Sequence, residues 1–244
     1  MTDEGTIGEV MRGGLRDELP RRYDDFWDGP FREELARHLR PGVRILDVGS
    51  GAVPTIPPEE RPADTHYVGL DISQHELDRA PAGSYDHTVV ADLTEVVPEL
   101  CDDFDLVVSF QVLEHVRPLD RAIENMRRYL RPGGGMVSRL SGGRSVSALL
   151  NRAVPHRVAV ALEVRLRGRE PESVFPAEYD RCTHSALTEM LAPWSEANVI
   201  PQHTGAYYFK FLRPLQALYL GYEEWALRGD RKDVAVYYVL SARR

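Results

Sequence analysis

The sequence predicts an α/β domain in which helices cover both faces of a doubly wound, mostly parallel sheet. Short apolar segments alternate with helical segments up to about residue 140, an order typical of such sheets. The segment FDLVVSF carries apolar residues on both faces, as a central parallel strand requires. The chain has 244 residues, of which 43% are hydrophobic, and this suits one large core. We therefore expect a single domain over residues 1–244.

The first part of the chain predicts a helix, four strands, a second helix and a fifth strand. GPFREELARHLRPG predicts the first helix, since Pro30 lies in its first turn and Gly42 follows its end. With the polar residues before it, this helix forms a predicted cap over residues 1–40. The strands are VRILDV, HYVGLDI, HTVVADL and FDLVVSF. LDRAIENMRRYL repeats apolar residues at helical spacing, and RPGGG ends it before the strand GMVSRL.

Residues 141–185 differ in composition from the segments on either side. They are rich in arginine, are interrupted by proline and show no clear strand pattern. We therefore expect an inserted region that forms a substrate site or a lid. A strand over ANVIPQHTGAYYFKF, a helix over PLQALYLGYEEWALRG and a strand over DVAVYYVLSA are predicted to complete the domain.

Composition and charge exclude several classes of function. The net charge of −8 argues against a nucleic-acid partner, because phosphate binding depends on lysine and arginine. The two cysteines, Cys101 and Cys182, indicate no disulfide framework, so a cytoplasmic location is expected. The acidic N-terminus does not resemble a secretory signal. No apolar stretch approaches the roughly 20 residues of a transmembrane segment.

The segment LDVGSGAVP places an acid and a glycine-rich turn at the end of the first predicted strand. Ligands of open parallel sheets bind at the carboxyl ends of the strands. Gly49 and Gly51 would let the backbone turn tightly and approach a ligand closely. The alternative is a strand-to-helix turn that needs glycine for its shape alone.

Polar residues also end the next three predicted strands. Asp71 ends the second strand, twenty residues after Gly51, and this spacing suits hydrogen bonds to ribose hydroxyls. Asp92 ends the third strand, and the fourth continues into SFQVLEHV. Solvent at the sheet edge would explain one such residue, but the repetition favours a nucleoside site.

The glycine-rich turn argues against a dinucleotide cofactor. A dinucleotide fold requires Gly-x-Gly-x-x-Gly, and here Pro54 occupies the last position. Asp47 would also place a negative charge beside a pyrophosphate. An acid at this point suits a cationic ligand better, so a nicotinamide oxidoreductase is the least favoured class.

The segments VRILDVGSGA, YVGLDIS, VVADL, FDLVVSFQVLEHV and LRPGGGMV follow one another between residue 43 and about residue 140. In this order they resemble the successive motifs of class I S-adenosylmethionine-dependent methyltransferases. The nearest pattern is that of the small-molecule enzymes of the methyltransferase type 11-like group, which includes ubiquinone-biosynthesis enzymes. The resemblance implies a Rossmann-like sheet of seven strands with an antiparallel last strand and a helical insertion between strands five and six. It also implies S-adenosyl-L-methionine as the cofactor.

The resemblance further implies roles for individual residues. Asp47 would lie near the ammonium group of the methionine moiety or be held on the loop backbone. Asp71 would bind the ribose hydroxyls, Asp92 the adenine amino group, and the Leu93 amide an adenine ring nitrogen. An aromatic residue of residues 21–27 would close over the cofactor, and the alternative is that this segment packs onto the sheet as a hydrophobic staple. The expected cofactor-binding residues are Tyr23, Asp47, Gly49, Ser50, Gly51, Asp71, Ile72, Asp92, Leu93, Phe110 and Gln111.

Three residues are candidates for catalysis. Methyl transfer needs a proton acceptor only where the nucleophile keeps its proton until transfer. His115 follows the fourth strand, while Tyr179 and His184 flank the inserted region. The alternative is that each of the three is structural. Some relatives hold a metal through Glu-x-x-Glu-His at this point, but Gln111 replaces the first acid here, so no metal site is expected.

The inserted region bears on the acceptor. Between Arg139 and Arg169 the sequence contains seven arginines and one acid, Glu163. Arginine suits carboxylate or phosphate recognition, so an anionic small molecule such as a sugar, a nucleotide-linked sugar or a natural-product intermediate is one interpretation. Peripheral contact with a membrane surface and a solvated basic face are the alternatives.

The predicted function is methyl transfer to oxygen or nitrogen of a small molecule. A decarboxylase or cyclase that uses the same cofactor without methylation is one alternative, and a non-catalytic cofactor-binding subunit is another. The sequence leaves the oligomeric state open between a monomer and a homodimer.

Overall fold

The computed structural model describes residues 19–154 and 175–244. Within these ranges the chain forms a seven-stranded sheet in the order β3-β2-β1-β4-β5-β7-β6. The first five strands pair in parallel, and β7 runs antiparallel to both of its neighbours. This arrangement confirms the predicted Rossmann-like fold class. The strands are β1 (Arg44–Val48), β2 (His66–Asp71), β3 (His87–Val90), β4 (Phe104–Phe110), β5 (Leu130–Ser141), β6 (Glu196–Gln202) and β7 (Tyr237–Arg243).

The direction of the strand order reverses between β1 and β4. The chain moves outward from β1 to β2 and β3, and then returns to place β4 on the other side of β1. Asp47 pairs with Gly69 of β2 and with Val108 of β4, so the carboxyl ends of the three strands lie side by side. Open α/β sheets bind ligands at such a switch point, which makes this edge the candidate site.

Six α-helices lie in the described ranges, and the first is shorter than predicted. It contains Pro30 in its first turn but ends at Ala36. Arg37 and His38 then donate to carbonyls three residues earlier, a tighter turn that ends many helices. The helices are α1 (Gly29–Ala36), α2 (Gln74–Asp78), α3 (Leu119–Tyr129), α4 (Val146–Ala153), α5 (His184–Leu191) and α6 (Arg213–Arg228).

The two faces of the sheet bury separate apolar clusters. One face packs against α3, whose buried side includes Leu119, Ile123 and Met126. The other packs against α1 through Phe31 and Leu35. Full burial of an apolar side chain of this size contributes about 1.5–3 kcal/mol. These clusters hold the strands in register and so fix the positions of the residues at the strand ends.

The predicted sixth strand is too long. Strand β6 ends at Gln202, and Gly205–Phe209 forms a 3-10 helix rather than extended chain. The reason is a side chain from α6: the Glu223 carboxylate accepts hydrogen bonds from the N–H groups of Gly205 (2.6 Å) and Ala206 (3.2 Å). These bonds turn the backbone away from the sheet, although YYF favours a strand by composition.

The described part of the inserted region contains one helix and the start of another, and a loop over residues 175–183 precedes the second. Helix α4 begins after Ser145, whose hydroxyl accepts from the Ala148 N–H, and α5 begins after Thr183. The arginines between residues 155 and 174 lie outside the described residues. Among the described helices, none is long and apolar enough to cross a membrane.

Candidate functional site

The turn after β1 is fixed to the end of β2. Gly49 and Ser50 donate to the Leu70 carbonyl, and Gly51 donates to the Asp71 carboxylate over 3.0 Å. Gly49 has φ of +69°, and a Cβ there would lie 2.4 Å from the Val112 methyl groups. Glycine is therefore required at this position by both its backbone conformation and its packing.

Asp47 lies beneath this turn and supports it. Its side chain is fully buried and accepts hydrogen bonds from the Thr55 N–H (2.7 Å), the Thr55 hydroxyl (2.7 Å) and the Tyr67 hydroxyl (2.8 Å). Burial raises the pKa of Asp47 to about 6. These three hydrogen bonds limit the rise, and so does the positive charge of the nearby Arg61. Of the two roles expected for Asp47, these contacts fit attachment to the loop backbone.

The carboxylate of Asp71 forms the acidic end of β2. One oxygen accepts from Gly51 and the other from the Ser73 N–H over 2.8 Å. Burial raises the pKa of Asp71, while these two backbone bonds oppose the rise. Ile72, the next residue, leaves 59% of its surface exposed. A carboxylate beside an exposed flat apolar surface suits the ribose and the base of a nucleoside.

The end of β3 supplies a second acid and a buried neighbour. Asp92 is exposed, and one of its oxygens accepts from both the N–H and the hydroxyl of Thr94 at 2.8 Å. Leu93 is buried, and its carbonyl accepts from the Asn125 amide of α3 over 2.8 Å. Residues 91–93 therefore hold a defined conformation at the same sheet edge as Asp71.

Two buried polar side-chain atoms after the end of β4 lack a partner within the described part of the chain. Gln111 adopts φ of +59°, and its backbone N–H donates to the Arg139 carbonyl of β5. Its amide oxygen and one Glu114 oxygen accept from Ser141, but Gln111 Nε2 and Glu114 Oε2 are buried without a partner among the described residues. Buried polar atoms of this kind are rare and indicate a missing ligand or water.

The residues present fit S-adenosylmethionine. The unpartnered donor of Gln111 and the unpartnered acceptor of Glu114 match the carboxylate and the ammonium group of an amino acid. Asp71 and Ile72 match a ribose and a purine. In the glycine-rich turn, Ser50 adds a buried hydroxyl that has no partner among the described residues. The half-buried Phe110 ends β4 directly before Gln111 and pairs with Arg139 of β5.

The structure brings together two of the three catalytic candidates. His115 Nδ1 lies 2.8 Å from the Pro176 carbonyl, which must accept from it, so the neutral ring has its basic nitrogen at Nε2. The Tyr179 N–H donates to the Glu114 carbonyl over 2.8 Å, beside His115 in the chain. Burial raises the pKa of Tyr179. His184 lies elsewhere, at the start of α5, with its ring 6.5 Å from that of Tyr238.

Tyr23 lies in an apolar cluster with Ala206 and Tyr219. Its hydroxyl donates to Glu223 over 2.6 Å. In the same N-terminal segment, Trp27 rather than Tyr23 lies next to the site, because its ring is 6.2 Å from that of Phe110. In the described ranges, no group of three or more His, Cys, Asp or Glu side chains is arranged to hold a metal ion.

Sequence reasoning missed three residues of this edge: Trp27, Glu114 and Arg139. Trp27 ends the N-terminal segment RRYDDFW, Glu114 lies in SFQVLEHV, and Arg139 is the first arginine of the basic stretch. A polar residue inside the apolar strand GMVSRL was the available signal for Arg139, because buried arginine is rare.

Comparisons with known proteins identify the domain that contains this sheet edge. A family model described as a methyltransferase domain matches residues 46–138, which extend from β1 into β5. A ubiquinone biosynthesis O-methyltransferase of Mesorhizobium japonicum is 28% identical over 126 residues, which cover 50% of this chain and 47% of that protein. A cyclopropane-fatty-acyl-phospholipid synthase of Escherichia coli is 27% identical, over 65% of this chain and 44% of that protein. The chain thus spans about half the length of these relatives or slightly less.

A solved structure extends the likeness in fold to nearly the whole chain. The S-adenosylmethionine-dependent methyltransferase of Mesorhizobium loti superposes with a TM-score of 0.51 at 22% identity, covering 91% of this chain and 99% of that one. Residues 46–138 match a methyltransferase domain, and the described chain shares its fold with the solved S-adenosylmethionine-dependent methyltransferase. The chain thus carries a methyltransferase domain with the class I S-adenosylmethionine-dependent methyltransferase fold.

Proposed function

We propose that the protein binds S-adenosylmethionine at the carboxyl edge of β1, β2, β3 and β4 and transfers its methyl group to a small molecule. The observation that carries the proposal is the convergence, at one sheet edge, of the turn at Gly49–Gly51, the Asp71 carboxylate and the unpartnered atoms of Gln111 and Glu114. When bound, the cofactor supplies a methyl group attached to a positively charged sulfur.

The protein's own residues then bind and orient the two substrates. In this proposal Asp71 accepts hydrogen bonds from the ribose hydroxyls, and Ile72 contacts one face of the adenine. Asp92 accepts from the adenine amino group, and the Leu93 amide donates to a ring nitrogen. Gln111 Nε2 and Glu114 Oε2 bind the carboxylate and the ammonium group. Their role is to hold the methyl group in line with the attacking atom and to exclude water.

His115 is the best supported proton acceptor of the three candidates. Its Nδ1 is committed to the Pro176 carbonyl, so Nε2 can take the proton that an acceptor hydroxyl or amine loses. The Tyr179 backbone bonds to that of Glu114, the residue before His115, and we assign Tyr179 to acceptor binding. The contacts of His184 offer no link to this group, so it is the weakest of the three assignments.

Oxygen is the acceptor atom that the relatives favour, since several are ubiquinone biosynthesis O-methyltransferases. The acceptor itself is proposed only as a small molecule that carries a hydroxyl or an amine. A cytoplasmic location is proposed because Cys101 and Cys182 are both free thiols.

Two measurements test the proposal. Titration calorimetry should show one molecule of S-adenosylhomocysteine bound per chain, and Asp71→Asn should weaken this binding at least tenfold. Asp78→Asn is the matched control, because Asp78 ends α2 at the surface and lies outside the proposed site. Equal affinity in the wild type and Asp71→Asn would remove the ribose assignment.

The reaction is tested with methyl-labelled S-adenosylmethionine and fractionated extract from the source organism. A labelled product that is heavier by one methyl group supports methyl transfer. A changed but unmethylated and unlabelled product, formed while the cofactor stays intact, would instead establish a decarboxylase or cyclase. Cofactor binding with no new product in any fraction would establish a non-catalytic subunit.

A further inference from the structure

Arg139 is a fully buried arginine at the carboxyl end of β5. It pairs with Phe110 of β4 and with Val239 of β7, so it lies in the middle of the sheet. Its Cζ atom is 3.7 Å from the ring centroid of Tyr237, 4.7 Å from that of Trp27 and 5.2 Å from that of Phe110. These three rings, here called the aromatic cage, enclose the guanidinium.

The cage leaves most of the guanidinium without hydrogen bonds. Arg139 Nε donates to the Gln202 amide oxygen over 3.3 Å, and the guanidinium also interacts with the Tyr237 hydroxyl, but neither Nη1 nor Nη2 makes a well-aligned hydrogen bond among the described residues. Aromatic faces stabilise the cation but cannot replace acceptors at the edges of the group. Burial lowers the pKa of Arg139, whereas Tyr237, Tyr208 and Glu114 act in the opposite direction.

A structural role alone does not explain this arrangement. An apolar side chain of similar volume would fill the same space without the cost of burying an unpaired charge, and such replacements are often neutral or stabilising. The free edge of the guanidinium, by contrast, is the part that binds carboxylate and phosphate groups through two parallel hydrogen bonds. The Gln202 side chain also holds the group in one orientation, since its Nε2 donates to the Phe26 carbonyl.

The aromatic cage lies beside the proposed cofactor site. The Arg139 carbonyl accepts from the backbone N–H of Gln111, and Phe110 contributes to both the cage and the strand end. Trp27 is 49% exposed and Tyr208, whose hydroxyl contacts that of Tyr237, is 46% exposed. Two rings that form or border the cage are thus partly open to solvent, while the guanidinium itself is fully buried.

We propose that Arg139 recognises an anionic group of the acceptor, a carboxylate or a phosphate monoester attached to a flat apolar body. The anion accepts from Nη1 and Nη2, and the flat body packs against Trp27 and Phe110. The proposal deepens the proposed function, because it names the chemical class of the molecule that would be methylated. It assigns specificity to a residue of the sheet rather than to the inserted region.

The probes for this proposal are benzoate, phenyl phosphate and the neutral isostere benzamide. Binding is measured by titration calorimetry on the full chain, with and without S-adenosylhomocysteine. We expect the wild type to bind benzoate or phenyl phosphate at least tenfold more tightly than benzamide, and the better of the two anions identifies the group. Arg139→Met should abolish this tenfold preference, and Arg139→Lys should retain part of it.

Arg144→Met is the matched control, because Arg144 lies five residues away, is mostly exposed and pairs with Asp233 over 3.2 Å. It should bind the anions as the wild type does. Thermal unfolding provides an independent readout: Arg139→Met should unfold at the wild-type temperature or above it. If Arg139→Met does not fold, or unfolds well below the wild type, the arginine is structural and the proposal is wrong.

Two further results would overturn the proposal: equal affinity of the wild type for the anions and benzamide, or unchanged anion binding in Arg139→Met. The same measurements distinguish a failure of this proposal from a failure of the cofactor proposal. A protein that binds the anions through Arg139 but not S-adenosylhomocysteine would retain the anion site and refute the cofactor site. The opposite result would retain the cofactor site and refute the anion site.

Discussion

Asp47→Asn isolates the charge of the buried carboxylate from its hydrogen bonds. The asparagine oxygen can accept from the Thr55 N–H and the Tyr67 hydroxyl, and its amide can donate to the Thr55 hydroxyl, which then reverses its role. The substitution therefore keeps the three bonds that fix the turn. It removes only the cost of an ionised group that has no exposed surface.

The size of the expected change in unfolding free energy follows from the pKa of Asp47, which burial raises from 3.8 to about 6. Because the pKa of Asp47 is higher in the folded protein than in the unfolded chain, the folded protein binds more protons than the unfolded chain at pH values between the two pKa values. Stability therefore falls as pH rises through this window, by about 3 kcal/mol in total, and roughly half of the fall occurs between pH 5 and pH 7. Asp47→Asn does not titrate and avoids this loss.

Urea unfolding at pH 5 and pH 7, followed by tryptophan fluorescence, measures the effect. We expect Asp47→Asn to exceed the wild type in free energy of unfolding by about 1.5 kcal/mol at pH 5 and about 3 kcal/mol at pH 7. The affinity for S-adenosylhomocysteine should stay within about threefold of the wild type. A difference between the two proteins that does not change with pH would refute the burial argument. A large loss of affinity would instead place Asp47 against the ligand.

Two substitutions with matched controls test the packing around the site. Gly49→Ala should cost about 2–4 kcal/mol of unfolding free energy, because it combines positive φ with a clash against Val112, whereas Gly83→Ala meets open space and should cost about 1 kcal/mol. Glu223→Ala leaves the buried Tyr23 hydroxyl and the backbone N–H of Gly205 without an acceptor, so a loss of roughly 3–5 kcal/mol is expected in urea unfolding. Glu224→Ala removes only the exposed partner of Arg22 and should cost under about 1 kcal/mol. Equal costs within either pair would contradict the corresponding argument.

Local periodicity and strand-end chemistry were sufficient to predict the sheet and the candidate edge. Asp47, Asp71 and Asp92 could be placed near one another because parallel strands present their carboxyl ends at one edge. The turn glycines were predictable for the same reason, since Gly49 adopts a conformation that other residues avoid.

Features that depend on contacts distant in sequence could not be predicted. The end of β6 is set by Glu223, which lies on a helix that follows it in the chain. The support of the turn depends on Tyr67, whose hydroxyl reaches Asp47 from the neighbouring strand. The environment of Arg139 requires Trp27 and Tyr237, which come from opposite ends of the chain. No local pattern indicates such pairings.

The central claim is that the residues at the ends of neighbouring strands form one site for a positively charged adenosine derivative. A single calorimetric comparison of S-adenosylmethionine with NAD on the wild-type chain tests it most directly. We expect saturable one-to-one binding of S-adenosylmethionine and no detectable heat from NAD at the same concentration. Binding of NAD in place of S-adenosylmethionine, or of neither, would contradict the account.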